Sequence, residues 1–374
     1  MSTPDPLRGP EFGSYPAADV AWLLTDLSGV ALEAPTEERE EAVQSGGAHY
    51  AESLPVEFQP DEGYLAVYRA ALDATAVRLA QAAGTVTELI LRERGPDVAL
   101  ASLARAGTPV GILLRRWAAA RHGLDLPHYA VSIVRGRGID RLALRHLAEH
   151  HDPSTVVFVD GWTGKGAINR ELAAALADQD GFDPDLAVLA DPGRCARTFG
   201  TRDDWLIASA CLNSTVSGLV SRTVLNDRLI GPGQYHGAKF YAELAGADVS
   251  HDFLDTVTAA FGSVTDTTAP ADREPDHAGW AAVERIVQEY GIGDINLVKP
   301  GVGETTRVLL RRVPWKVLTR AGAPEADLAH VRLLAAQRGV PVEEVDGLPY
   351  SCVGLIHPRF TRGATGADGL AAAR

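Results

Sequence analysis

Val156-Val157-Phe158-Val159-Asp160-Gly161-Trp162-Thr163-Gly164-Lys165-Gly166-Ala167 decides the fold of this chain. Its first four residues are apolar, the pattern of a strand buried on both faces. An acid stands at the strand's carboxyl end, and a turn with three glycines and a lysine follows. Ile168 to Leu176 then carries a helical pattern. In an open α/β sheet, ligands bind beyond the carboxyl ends of the strands. Glycines there let backbone N–H groups close on a phosphate, and the next helix N-terminus favours negative charge. Lys165 adds a full cation, one of four lysines against 31 arginines. The spacing is not that of a P-loop: two residues separate Gly161 from Gly164, and Gly166 follows Lys165 where Ser or Thr belongs. Strand–glycine turn–helix also connects elements in most α/β proteins, so the turn alone leaves an anion site and a plain connection both open.

The same alternation extends outward on both sides. Strands are expected at Val98–Ala104, Tyr129–Val134, Val156–Val159 and Leu186–Leu189, with a fifth starting at Trp205-Leu206-Ile207. Helices are expected at Val110–Arg121, Arg141–His150 and Ile168–Leu176. Strands alternating with helices imply an α/β fold, an open and mostly parallel sheet covered by helices. Three polar loops then share the carboxyl edge: Arg105-Ala106-Gly107-Thr108, Arg135-Gly136-Arg137 and Asp160 to Gly166. Together they offer three arginines, a lysine and an acid, which suits a substrate with more than one phosphate. Upstream, Tyr64–Ala83 and Val86–Glu93 read as two helices, and Pro16–Leu32 as a short amphipathic one.

With 374 residues the chain has room for two or three domains. Residues 1–62 read as an arm and helix wrapping the core, 63–225 as the core, and 226–290 as a helical cover with a flexible linker. Residues 291–358 read as a small α/β domain and 359–374 as a flexible tail. A net charge of −14 argues against broad nonspecific binding to nucleic acid or acidic membranes and leaves room for a local basic patch. No run approaches a membrane span. Cys195, Cys211 and Cys352 show neither metal spacing nor a paired framework, which points to a reduced, cytoplasmic compartment.

The order of these loops resembles a type I phosphoribosyltransferase. More narrowly, Asp160–Ile168 (DGWTGKGAI), Ser102–Leu114 (SLARAGTPVGILL), Leu126–Asp140 (LPHYAVSIVRGRGID) and Ser209–Thr223 (SACLNSTVSGLVSRT) are similar to the phosphoribosyltransferase-like family found with tellurite-resistance and stress genes. That family also goes under the label cysteine protease StiP. The likeness runs from Gly13-Ser14-Tyr15-Pro16 to the neighbourhood of Pro358. It implies phosphoribosyl transfer from phosphoribosyl pyrophosphate (PRPP) to an unidentified acceptor, with Mg²⁺ carried mainly by PRPP near Asp160, and a homodimer.

In that reading Arg105 with Ala106, Gly107 and Thr108 holds the pyrophosphate, and Arg135 and Arg137 close over it. Asp160 fixes the ribose, while Gly161, Thr163, Gly164, Lys165, Gly166 and Ala167 receive the 5′-phosphate. Asn213, Ser214 and Thr215 read the acceptor or cap a helix. The loop departs from the family pattern of two acids and three threonines. Gly161 replaces the second acid, Gly164 and Lys165 replace the threonines, and Ile168 replaces the last threonine. A lysine there substitutes a charge-assisted bond for hydroxyl bonds.

Residues 291–358 resemble the Pelota/ribosomal L7Ae type of RNA-binding domain. Glu304, Thr306 and Arg307 match its loop, and Gly303 stands where the base-contacting Asn belongs. Lys299, Arg307, Arg311 and Arg312 form a basic cluster suited to RNA phosphates, or to docking on the acidic remainder. Two other functions therefore stand beside transfer: an RNA-binding or RNA-processing protein, and a cysteine protease. The last needs a thiolate-forming environment, and the apolar or small residues around Cys211 and Cys352 do not supply one.

Overall fold

The computed structural model describes residues 3–34, 51–57 and 59–356, without the side chain of Arg311. The main sheet contains β1 (Ala21–Leu23), β2 (Ala99–Leu103), β3 (His128–Val131), β4 (Val156–Trp162), β5 (Leu186–Ala190) and β6 (Phe199–Thr201). All pairings are parallel, in the order β1-β3-β2-β4-β5-β6. Alternation along β4 explains why both its faces are apolar. Val157 and Val159 enter the core that contains the helices α1 (Glu62–Arg94) and α2 (Thr108–His122). Val156 and Phe158 enter the opposite core with α3 (Arg141–His150) and α4 (Ala167–Leu176). Fully burying each of these side chains contributes roughly 1.5–3 kcal/mol.

β1 corrects the helix expected at Pro16–Leu32. Trp22 and Leu23 are both fully buried, and they belong to opposite cores. A period of two satisfies both faces of the sheet, whereas a helix presents one stripe. The two helices expected between residues 64 and 93 are one. Asp61 caps it by accepting from Tyr64 N, and Gly95, with φ +79°, ends it. Gly84 lies inside it because a Cβ there would stand 2.6 Å from the Trp117 ring. Residues 205–207 are not the fifth strand; that edge is taken by β6, and 205–207 lead into a short 3₁₀ turn. The strand expected to run to Val134 stops at Val131, and residues 133–134 pair instead with 138–139 in a small hairpin. Within the expected helical cover of residues 226–290, residues 237–238 form a short strand and 242–247 a 3₁₀ turn, followed by α5 (Ser250–Ala259).

After α6 (Ala278–Glu289) the chain builds a second, four-stranded sheet. It contains β7 (Val298–Pro300), β8 (Pro314–Arg320), β9 (Val342–Val345) and β10 (Cys352–Ile356), in the order β7-β10-β8-β9. β10 runs antiparallel to both neighbours, and β8–β9 is parallel. Helices α7 (Val302–Arg311) and α8 (Glu325–Gln337) bury Val302, Leu309, Leu328 and Val331 in the same core that holds α1 and α2. The small domain is therefore welded to the large one by apolar contact. Asp204 reinforces the seam: its carboxylate accepts from Val302 N at 2.9 Å and Ser351 N at 2.7 Å. The segment expected as a flexible linker is tied down by charge, with Arg194 paired to Asp272 and Asp276, and Arg273 to Glu93. Among the described residues no helix is long and apolar enough to cross a membrane.

Candidate functional site

A cleft of about 230 Å³ opens at the carboxyl edge of the main sheet. β2 delivers Arg105 and Ala106 to it through a cis Ala104–Arg105 peptide, and β4 delivers Asp160 and Trp162. Asn213 comes from the loop before a 3₁₀ turn, and Arg307 comes from α7 of the small domain. The cleft is thus composite. Asp160 is its half-buried acid. Its Oδ1 accepts from Gly161 N at 2.8 Å, but burial outweighs this bond and pushes the carboxyl up to about 7.

The glycine turn lies beside the cleft and packs against other parts of the protein. Gly161, Thr163, Gly164, Lys165, Gly166 and Ala167 stand outside the lining of the cleft. Thr163 is buried; its hydroxyl donates to Asp191 Oδ1 at 2.5 Å and accepts from Gly193 N at 3.1 Å. Gly164 O accepts from Tyr350 Oη–H at 3.1 Å, and a Cβ on Gly166 would stand 2.7 Å from Cys195 Sγ. Lys165 Nζ donates to Ile295 O at 2.8 Å and so ties the turn to the small domain. Burial first, then Lys299 and Arg135, bring this amine down to about 8. The Thr163 hydroxyl, the Gly164 carbonyl and the Lys165 amine thus each have a protein partner.

The other expected residues divide in the same way. Gly107 is packing-bound, since a Cβ would lie 2.4 Å from Val159 O, and Thr108 is buried with an unpartnered hydroxyl. Arg135 donates to Asn296 Oδ1 at 3.2 Å, and Arg137 lies 3.9 Å from Glu52. The loop between these arginines is fastened by Glu171, which accepts from Gly136 N and Gly138 N at 2.9 and 3.1 Å. Asn213 faces the cleft; Ser214 binds Glu57, and Thr215 is buried. Among the RNA candidates, Lys299, Glu304 and Arg307 meet near the cleft, with Glu304 and Arg307 3.1 Å apart. Burial alone would raise Glu304, but Arg307 and Lys299 outweigh it and hold the carboxyl below its usual value. Thr306 is buried and bonds to Val302 O and His330. The Arg311 side chain lies outside the described residues. Among those residues no group of three or more His, Cys, Asp or Glu side chains gathers to hold a metal ion.

Five cations converge at this seam from both domains. Lys165 and Lys299 each feel the other positive groups: Lys299 and Arg135 depress Lys165, while Arg312, Arg307 and Arg135 add to the burial that lowers Lys299. All three cysteines are buried. Cys195 Sγ–H donates to Gly193 O at 3.2 Å, and burial, aided by Asp191, pushes its thiol up to about 12. Burial also raises the Cys352 thiol well above its usual value. A buried Ser102–His128 pair, 2.8 Å apart, is sealed beneath Gly111, where a Cβ would lie 2.2 Å from both. Glu57, Glu171, Asp191 and Asp204 escape sequence reasoning. Their partners are remote in the chain.

Residues 13–258 match the family described as tellurite-like stress resistance cysteine protease StiP. Residues 277–358 match the PELOTA RNA-binding domain. A protein of Acinetobacter baylyi, named cysteine protease StiP, is 34% identical over 367 residues, covering 92% of this chain and 94% of that protein. A hypoxanthine-guanine phosphoribosyltransferase structure from Bacillus anthracis covers 35% of this chain and 73% of its own, at 11% identity and a TM-score of 0.24. That likeness is too slight to carry an argument. The expectation of phosphoribosyl transfer is overturned, because the matched family and the Acinetobacter relative both carry the name of a cysteine protease.

Proposed function

We propose that this chain, which belongs to the StiP family of tellurite-like stress resistance proteins, binds an RNA strand along the seam between its two domains. The observation that carries the reading is the convergence of Arg135, Lys165, Lys299, Arg307 and Arg312 beside one composite cleft. In a chain of net charge −14, cations gathered at one seam favour a polyanion there. Phosphates would lie on the cations, and Trp162 in the cleft offers a ring face for one unstacked base. The match to the PELOTA RNA-binding domain supports the same partner. Arg307 of this domain lines the cleft, so the strand would pass between the domains.

Cysteine proteolysis, the activity in the relative's name, needs a thiolate within reach of substrate. Here each thiol is buried, and the Cys195 and Cys352 thiols are held protonated.

The test is fluorescence anisotropy of a labelled single-stranded RNA of about ten nucleotides, titrated with the full chain across a salt series. Four phosphate contacts would give a log–log salt slope of about −3, and Lys299→Met with Arg307→Met would flatten it by about 1.4. An RNA that does not bind at low salt sinks the proposal, as does binding that both substitutions leave unchanged.

A further inference from the structure

Residues 51–57 bring two acids onto two of the loop arginines. Glu52 lies 3.9 Å from Arg137, both of them partly exposed. Glu57 is the deeper contact, its side chain 9% exposed. Its Oε1 accepts from Ser214 N at 2.8 Å and from Ser214 Oγ–H at 2.7 Å, and its Oε2 lies 3.6 Å from Arg105 Nη1. A backbone N–H, a hydroxyl and a guanidinium converging on one carboxylate is the donor set that proteins present to oxyanions. Arg105 also lines the cleft, so this donor set adjoins it.

The way the segment is held matters. Its start is anchored by backbone: Leu225 N donates to Ala51 O, Asn226 Nδ2 to Glu52 O, and residues 54–55 pair with 33–34. Its end is not anchored by apolar burial, because Val56, next to Glu57, is 64% exposed. Charge and hydrogen bonds hold Glu57 in place, and an incoming oxyanion can replace both.

We propose that Arg105, Ser214 N–H and Ser214 Oγ–H form an oxyanion subsite that Glu57 fills with its own carboxylate. An external phosphate or carboxylate group binds there by exchange with it. The subsite does not depend on the RNA reading, which rests on cations at the domain seam.

Isothermal titration of the full chain with inorganic phosphate, and separately with acetate, tests the exchange. Glu57→Gln keeps an oxygen for Ser214 but removes the competing charge, and Glu57→Ala removes the plug. Each variant should bind phosphate about tenfold tighter than the wild type or better, which is about 1.4 kcal/mol. Adding Arg105→Met to Glu57→Ala should abolish the gain. An equal gain for acetate identifies a site for any oxyanion, and a gain for phosphate alone identifies a site that needs the second charge. Glu57→Gln, cooperatively folded and binding neither anion more tightly than the wild type, would show that Glu57 is a structural clip and overturn the proposal. That result would leave RNA binding at the seam untouched, because no seam cation is altered.

Discussion

Asp160, half-buried, and Asp204, buried, are both carboxyls raised above their usual range, to about 7 and about 6, and desolvation is the first cause of both shifts. Their surroundings differ. Asp204 joins two domains, taking hydrogen bonds from Val302 N and Ser351 N while its own carbonyl accepts from Ser351 Oγ–H. Asp160 accepts from its neighbour Gly161 N and otherwise faces a cleft. Burial makes both acids costly, but hydrogen bonding makes only Asp204 structural. A half-buried acid whose acceptor capacity the protein leaves largely unused, at a cleft wall, is the one available to a ligand.

The largest effect should come from breaking the seam. Asp204→Asn sets an amide N–H against one of two buried backbone donors, and Asp204→Ala removes both acceptors. Either should cost about 2–4 kcal/mol, read as a fall in Tm. A variant that melts like the wild type would show that apolar burial alone joins the domains.

Asp160→Asn should do the reverse. A folded pKa of about 7, against 3.8 for the ordinary carboxyl, means the folded state binds the extra proton. Wild-type stability from this group is full below about pH 4 and falls as pH rises through about 7. The amide escapes that loss, so the variant should be more stable at pH 8 by on the order of 1 kcal/mol, given the carboxyl's access to the cleft. Near pH 4 the two chains should converge. Thermal melts across this range check the sign; a variant less stable at pH 8 would place Asp160 with Asp204 as a structural acid.

The smallest effect is expected at the cysteines, which belong to neither acid's role. Cys195→Ala and Cys211→Ala should each cost about 1 kcal/mol of packing and leave the RNA affinity of the full chain unchanged in the anisotropy titration. Loss of binding by a folded Cys195→Ala chain would move Cys195 from packing into the site.

Much of this molecule follows from local pattern. Arg141–His150 is helical as its spacing dictates, and the buried run from Val156 gives the central strand with Asp160 at its carboxyl end. Such signals depend on neighbours two to four residues away, and they survive folding because each face they define must be buried. The arginine loop after β2 and the acid after β4 reach one cleft by the same logic, since parallel strands bring their carboxyl ends together.

Tertiary structure alone decided where the polar atoms went. Lys165 sits in a turn that reads as a phosphate cradle, yet its amine is taken by Ile295 O, 130 residues away. Glu57 reads as one acid in the arm of residues 1–62, and only the fold sets it on Arg105 and Ser214. Trp22 and Leu23 fit a short helix until the sheet offers each a separate core. The physical reason is range. Apolar periodicity is written between adjacent residues, whereas a hydrogen bond or ion pair is assigned to whichever partner the fold brings within about 3–4 Å, and sequence spacing carries no record of that partner.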